Sequence, residues 1–125
     1  MKRVIETLRD FPPDAVAVRC GGFVSKADYD QVLIPAVEQA LKASERIRLY
    51  YEVAPDFAVI SPGAIWEDFW VGMSHWTRWK RVAVVTDLPW IRQMVIVFGF
   101  LLPGATKVFA LAQAEEARAW LSQEG

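Results

Sequence analysis

Residues 81–111, RVAVVTDLPWIRQMVIVFGFLLPGATKVFAL, show the clearest structural pattern in this chain of 125 residues. The β-branched run at 81–86 is typical of a strand that is buried on both faces of a parallel sheet. A helix is predicted over 89–102, because proline stands at its first position and a Pro-Gly pair follows its last. Residues 106–111 form the next strand. The segment therefore predicts two parallel strands joined by a right-handed helical crossover.

The other elements extend this alternation along the chain. The order ββαβαβαβα predicts an α/β fold: a mixed five-stranded sheet, mostly parallel with an antiparallel first strand, and about four helices. Pro35 lies inside the first helix and predicts a kink near Gln31–Leu33, because it lacks an N–H group. The length is typical of one domain, here 1–125. The remaining predicted strands are 3–9, 15–23 and 46–53, and the remaining predicted helices are 26–43, 63–76 and 112–123.

The bulk composition excludes several classes of protein. The net charge is −1, which provides no general attraction to nucleic acid. The longest apolar run, 94–102, is about half as long as a membrane span. The N-terminal residues lack the apolar core of a signal peptide, and the single cysteine allows no internal disulfide. We therefore expect a cytoplasmic protein that does not bind nucleic acid.

Residues 64–79, AIWEDFWVGMSHWTRW, contain four tryptophans and fall largely in a predicted helix. On that helix the large apolar side chains form a stripe about 140° wide. The helix over 89–102 is apolar nearly all round and needs cover on more than one side. Two interpretations remain open: the rings fill the core, or they form a surface for an apolar molecule, a second copy of the chain or a membrane. The residues of that surface are Trp66, Phe69, Trp70, Met73, Trp76, Trp90, Met94, Phe98 and Leu101.

Three cations, Arg78, Lys80 and Arg81, stand beside Trp76 and Trp79. Tryptophan next to lysine or arginine is typical of a bilayer interface, where the cations contact phosphate. The alternative is a solvated entrance to the strand that follows. The sequence therefore offers these cations as contacts to a lipid headgroup or another anion.

No enzymatic chemistry is predicted. The single histidine, His75, is far in sequence from the single cysteine, so a His/Cys metal site is not expected. Glu67 and Asp68 are adjacent and point about 100° apart on a helix, so they form no facing pair of carboxylates. Asp87 follows a central strand, where α/β sheets place ligand groups, and its alternative role is to cap the next helix. We predict no catalytic residue, no metal and no cofactor.

Several segments resemble the bacterial SpoIIAA-like proteins, which are related to STAS domains and share a CRAL-TRIO-like fold. These segments are DYDQVLIPAVEQAL, RLYYEVAPDF, GAIWEDFWVGM, EEARAWL and, most specifically, residues 81–111. The resemblance implies a five-stranded mixed sheet with four helices. It also implies that the helices near 63–76 and 89–102 move apart and open a hydrophobic cavity. The resemblance therefore implies that the protein carries an apolar ligand or associates with a membrane.

The resemblance also introduces one modification site. STAS relatives that antagonise anti-sigma factors have an Asp-Ser-Ser-Gly type of turn, in which a serine is phosphorylated. This chain has Ile60-Ser61-Pro62-Gly63 instead, so Ser61 matches a serine of that turn, but the acidic residue and the serine doublet are missing. Ser61 is therefore either a phosphorylation site or an ordinary N-cap.

Two functions remain open. The first is a non-enzymatic binding module that holds a lipid-like ligand or lies peripherally on the inner membrane. Its apolar helices need cover in water, so a homodimer is expected in the resting state. The second is a STAS-type regulatory domain that docks to a protein partner through the same aromatic side chains.

Overall fold

A mixed five-stranded sheet forms the centre of the computed structural model. The structure describes residues 5–24, 26–56, 58–59, 79–99 and 105–123. In chain order, the strands in these residues are β1 (Ile5–Thr7), β2 (Ala15–Cys20), β3 (Phe23–Val24), β4 (Ile47–Val53), β5 (Ala58–Val59), β6 (Trp79–Val85) and β7 (Ala105–Phe109). The central sheet has the order β1–β2–β4–β6–β7, with β1 antiparallel to β2 and the other neighbours parallel. This confirms the predicted mixed sheet, while β3 and β5 pair with each other separately.

Three helical regions lie in the described residues, whereas about four helices were expected. The predicted helix at 63–76 lies outside the described residues. The first region runs from α1 (Lys26–Asp28) through a π-helical turn (Tyr29–Leu33) into α2 (Ile34–Ala43). The other two are α3 (Pro89–Gly99) and α4 (Ala114–Leu121), and a short 3-10 turn (Leu111–Gln113) leads into α4.

The π-helical turn lies where the sequence predicts a kink. Pro35 has no N–H group, so the carbonyl of Gln31 receives no α-helical hydrogen bond from it. The π-helical geometry covers Tyr29–Leu33, immediately before the regular helix that contains Pro35. An interrupted hydrogen-bond ladder is a usual cause of such turns. The irregularity is therefore a consequence of one residue and not of the helix composition.

One side of the sheet, here called face A, is covered by the first helical region and α3. Alternate residues of β2, β4 and β6 point to this side, because side chains alternate along a strand. Helix residues Leu33, Val37 and Ile91 are buried against them. The buried strand residues of face A are Ile5, Val16, Val18, Cys20, Ile47, Leu49, Tyr51, Val53, Val82 and Val84.

The opposite side, face B, is covered by α4 and by the loop 8–14. Ala117 and Leu121 of α4 are buried against this face. In the loop, the Phe11 ring lies 4.7 Å from the Tyr50 ring, centroid to centroid. The buried strand residues of face B are Ala17, Tyr50, Ala83, Val85 and Phe109. Both faces of the parallel strands are thus covered, as the continuous apolar run of β6 requires.

A buried arginine joins the two elements that cover face B. Arg48 is 5% exposed, and its Nε donates to Asp14 Oδ2 at 3.0 Å. Its Nη1 donates to the carbonyl of Leu121 and, at 2.6 Å, to the carbonyl of Gln123. The last carbonyls of a helix have no partner within the helix and form the negative end of its dipole. Arg48 therefore supplies the donors that the end of α4 lacks.

We predict that Arg48→Met lowers the free energy of unfolding by about 2–4 kcal/mol, since the Asp14 carboxylate and two carbonyls lose a shared donor. Asp14→Asn should cost less, about 1–2 kcal/mol, because the amide still accepts a hydrogen bond but is uncharged. Urea unfolding followed by circular dichroism measures both changes. The exposed Arg46 provides the control, and Arg46→Met should change stability by no more than about 0.5 kcal/mol. Equal losses at positions 46 and 48 would contradict this role for Arg48.

The only cysteine of the chain provides a second test of the core. Burial raises the pKa of the Cys20 thiol to about 12, and a hydrogen bond to Tyr51 opposes this only in part. We expect no reaction with a thiol reagent in native buffer and one equivalent in urea. The unfolded thiol titrates near 9.0, so the unfolded state loses this proton first, and stability should fall as the pH rises above about 9. Cys20→Ala should reduce that fall, and a thiol that reacts equally fast without urea would refute its burial.

Candidate functional site

The predicted apolar surface is only partly within the described residues. Trp90, Met94 and Phe98 lie on α3, and of these the side chain of Trp90 is described. The other members of this surface lie outside the described residues: Trp66, Phe69, Trp70, Met73, Trp76 and Leu101. The cation Arg78 and the serine Ser61 also lie outside them. The site must therefore be built from α3, and the cavity between two moving helices stays a prediction.

Helix α3 has an inner side and an outer side of the same apolar character. Ile91 is buried in the core of face A, and Val95 packs against that core. On the other side, Trp90 is 46% exposed and Ile96 is 67% exposed. At about 100° per residue, the exposed Gln93 lies between Trp90 and Ile96 on the helix surface. The outer face of α3, as defined by these three residues, contains no charged side chain.

The one charged residue of α3 is directed back to the protein. Arg92 Nη1 donates to the carbonyl oxygen of Thr86 at 2.9 Å. The hydroxyl of Thr86 accepts from the N–H of Leu88 at 3.1 Å, and the N–H of Arg92 donates to the carbonyl of Leu88. These bonds fix the start of α3 on the end of β6. The charge of Arg92 therefore stabilises the helix position and leaves its outer face apolar.

Asp87 has a role that neither sequence interpretation identifies. Its Oδ1 accepts a hydrogen bond from the N–H of Leu111 at 3.0 Å. This bond links the loop after β6 to the turn before α4, at neighbouring ends of two parallel strands. Asp87 thus connects two loops, and the first turn of α3 is held by Thr86 instead.

The predicted cationic cluster lies at an irregular point of the sheet. Trp79 of β6 pairs with Ile47 of β4, and Arg81 pairs with the next residue, Arg48, so Lys80 is an extra residue in the pairing. Arg81 lies on face B, where its Nη1 donates to the carbonyl of Trp120 at 2.8 Å and its guanidinium lies 5.0 Å from the Trp120 ring. Lys80 is half-buried. Arg81 is bonded to the end of α4, and a headgroup contact by these cations stays a prediction.

A second site, which the sequence analysis did not identify, is a cleft of about 230 Å³ on face B. It lies between the loop 8–14, the last residues of β2 and β4, and the first half of α4. Tyr50 and Phe11 contribute aromatic surface to it. The charged side chains that line the cleft are Arg9, Asp10, Arg19, Glu52, Glu115 and Arg118. We call this site the charged cleft.

One hydrogen-bonded chain forms the inner part of the charged cleft. Glu52 Oε1 accepts from the Tyr50 hydroxyl at 2.7 Å, and its Oε2 accepts from Arg19 Nε at 2.5 Å. Arg19 Nη1 also lies 3.9 Å from Oε2 of Glu6 on the neighbouring strand. Burial, and next the hydrogen bond to Glu52, raise the pKa of Tyr50 above its ordinary value. The hydrogen bond to Glu52 likewise raises the pKa of Arg19, so both groups remain protonated donors.

The sequence indicates only part of this site, through the alternation of side chains along each strand. Glu6, Arg19 and Glu52 are neighbours across β1, β2 and β4 in the observed register. Strand alternation alone indicates which residues of one strand share a face. The register between strands was not predictable from the chain, so neither was the row of alternating charges.

The described residues limit two other kinds of site. Among them, no three histidine, cysteine, aspartate or glutamate side chains are grouped so that they could hold a metal ion. Of the helices in the described ranges, none has the length and apolar character needed to cross a bilayer. His75 lies outside these ranges.

Comparisons with known proteins agree with this architecture. The family model described as SpoIIAA-like matches residues 15–122. A crystal structure of an uncharacterized DUF3478 family protein with a SpoIIAA-like fold, from Shewanella loihica PV-4, superposes with a TM-score of 0.70 at 24% identity. The match covers 94% of this chain and 93% of that one. A search of curated proteins finds no match. The fold is thus SpoIIAA-like, and the chain belongs to the SpoIIAA-like family.

Proposed function

We propose that this chain is a non-enzymatic binding module that contacts an apolar, lipid-like ligand with the outer face of α3. The observation that supports it is the exposure of Trp90 and Ile96 on a helix whose other side is packed against the sheet. A surface helix normally presents charged or polar residues to water on its outer side. The outer face of α3 presents an indole, an amide and a branched aliphatic chain instead.

The electrostatics of α3 support an uncharged contact. Arg92, the one cation of this helix, is directed at the carbonyl of Thr86 and is not among the three residues that define the outer face. Burying a side chain such as Ile or Trp is worth about 1.5–3 kcal/mol relative to leaving it in water. Trp90 and Ile96 together can therefore supply a substantial part of the binding free energy for an acyl chain. A ligand that needs a charged recognition group would find none on the outer face of α3.

The proposal includes where the protein acts and how the face is covered at rest. The expected location is the cytoplasm, with the ligand taken from, or remaining in, the inner membrane surface. Without ligand, a second copy of the chain is the expected cover, because exposed apolar area in water is unfavourable. The rival function, docking of a STAS-type domain to a regulatory protein, would use the same face, since tryptophan is also a favoured anchor between proteins.

The first test is chemical analysis of the purified full chain. We expect solvent extraction and mass spectrometry to release a fatty acid or lipid in near-stoichiometric amount, and the stripped protein to bind vesicles. Vesicles of neutral phosphatidylcholine and of a phosphatidylglycerol mixture separate an apolar contact from an anionic one. Protein that contains no lipid and ignores both kinds of vesicle would refute lipid binding and leave the protein-docking function.

Paired variants locate the contact. Replacing Trp90 and Ile96 together with glutamine should weaken lipid or vesicle binding by about tenfold or more. The melting temperature should change less than the binding does, because Ile96 is two-thirds exposed and Trp90 is about half exposed. Ala43→Gln, at an exposed position of α2, is the matched control and should retain full binding. If the double variant binds as well as the control, the outer face of α3 is not the contact surface.

A further inference from the structure

The charged cleft lies on face B, whereas α3 packs on face A, so the two sites are separated by the sheet. The lining of the charged cleft contains three arginines and three carboxylates, so its formal charges balance. A cleft of one sign attracts ions of the opposite sign. A balanced cleft favours a ligand that itself carries both signs, or one that carries none.

Part of this charge is already paired. Glu52 uses its two oxygens for the Tyr50 hydroxyl and the Arg19 Nε. Because Tyr50 is 3% exposed, the core below it holds this series of hydrogen-bonded side chains in place. The inner end of the cleft is therefore rigid and formed before any ligand binds, which lowers the entropic cost of binding.

The outer part of the charged cleft contains both a cation and carboxylates that can form further hydrogen bonds or ion pairs. Arg118 lies with its guanidinium 4.5 Å from the Phe11 ring and makes one long bond, 3.3 Å, to the carbonyl of Arg9. Its other N–H groups can donate to a ligand. Within the described residues, the carboxylates of Asp10 and Glu115 have no ion pair or hydrogen bond, so they can accept from a cation.

The backbone places one of these carboxylates at a specific point. Asp10 has a φ of 66°, in the left-handed region that most residues avoid. Its neighbour Phe11 packs on Tyr50 and fixes the loop from the other side. Aspartate and asparagine adopt this conformation more readily than most residues. Asparagine therefore gives a substitution that changes charge without changing the loop.

We propose that the charged cleft binds a small zwitterion, a molecule with one carboxylate and one ammonium group, of the chemical class of the free amino acids. Arg118 binds the carboxylate, with two or more N–H groups directed at it. Asp10 and Glu115 bind the ammonium group, and Phe11 contacts the apolar part. The volume of about 230 Å³ is below the range of roughly 300–1,000 Å³ that is typical of drug-sized ligands, which favours a small molecule.

The test uses the full chain and a mixture of free L-amino acids as the probe, followed by NMR of ¹⁵N-labelled protein. We expect saturable amide shifts at Leu8, Phe11, Tyr50 and Ala114, caused by one or a few members of the mixture. The N-acetyl and the methyl ester forms of the binding amino acid each lack one charge. Each should bind about tenfold or more weakly, because one charge-assisted contact is lost.

Two variants and a control complete the test. Arg118→Gln and Asp10→Asn should each weaken binding by about tenfold or more, without loss of the folded spectrum. Arg46→Gln, at an exposed position outside the cleft, should bind normally. The absence of localised shifts up to millimolar probe, or equal binding of the singly charged forms, would overturn the proposal. Shifts confined to α3 would do the same, because they would place the ligand on face A.

Discussion

The cover of face B depends on the buried guanidinium of Arg48. It reaches Asp14 at the end of the loop 8–14 and the carbonyls at the end of α4. These two elements are far apart in sequence, and a charge with several directional donors helps to specify their relative position. The charged cleft lies between the same two elements, which Arg118 joins a second time through the Phe11 ring and the carbonyl of Arg9.

A different constraint governs face A. Helix α3 lies over the sheet through Ile91 and Val95 and is held at its start by the bonds around Thr86. Neither set of contacts involves Gln93 or Ile96 of the outer face, which are exposed. Packing on one side and hydrogen bonds at one end thus hold the helix while these two side chains remain in water. The charge of Arg92 is needed for this anchoring, which explains how a helix with one cation can still present an uncharged surface.

The sequence predicted what depends on local pattern and failed where long-range register matters. The β-branched run of β6 and the proline at the start of α3 were enough to predict the crossover, and the antiparallel β1 followed from the short connection to β2. Pro35 placed the irregular turn in the first helical region correctly. Arg48 and Arg19 have no local sequence signal, because their partners are distant along the chain, at Leu121, Gln123 and Glu52. No local pattern shows which strand neighbours which, and both the anchor and the charged cleft depend on that order.

Strand β4 shows why the two faces cannot vary independently. Leu49 and Tyr51 belong to the core of face A, while Arg48, Tyr50 and Glu52 form the anchor and the inner end of the cleft on face B. A shift of one residue in the register of β4 would exchange these sets and bury three polar side chains in the core of face A. The free-energy cost of burying an arginine and a glutamate without partners is several kcal/mol. The charged residues of face B therefore also specify the register of the central strand, and a site made of them requires no separate stabilisation.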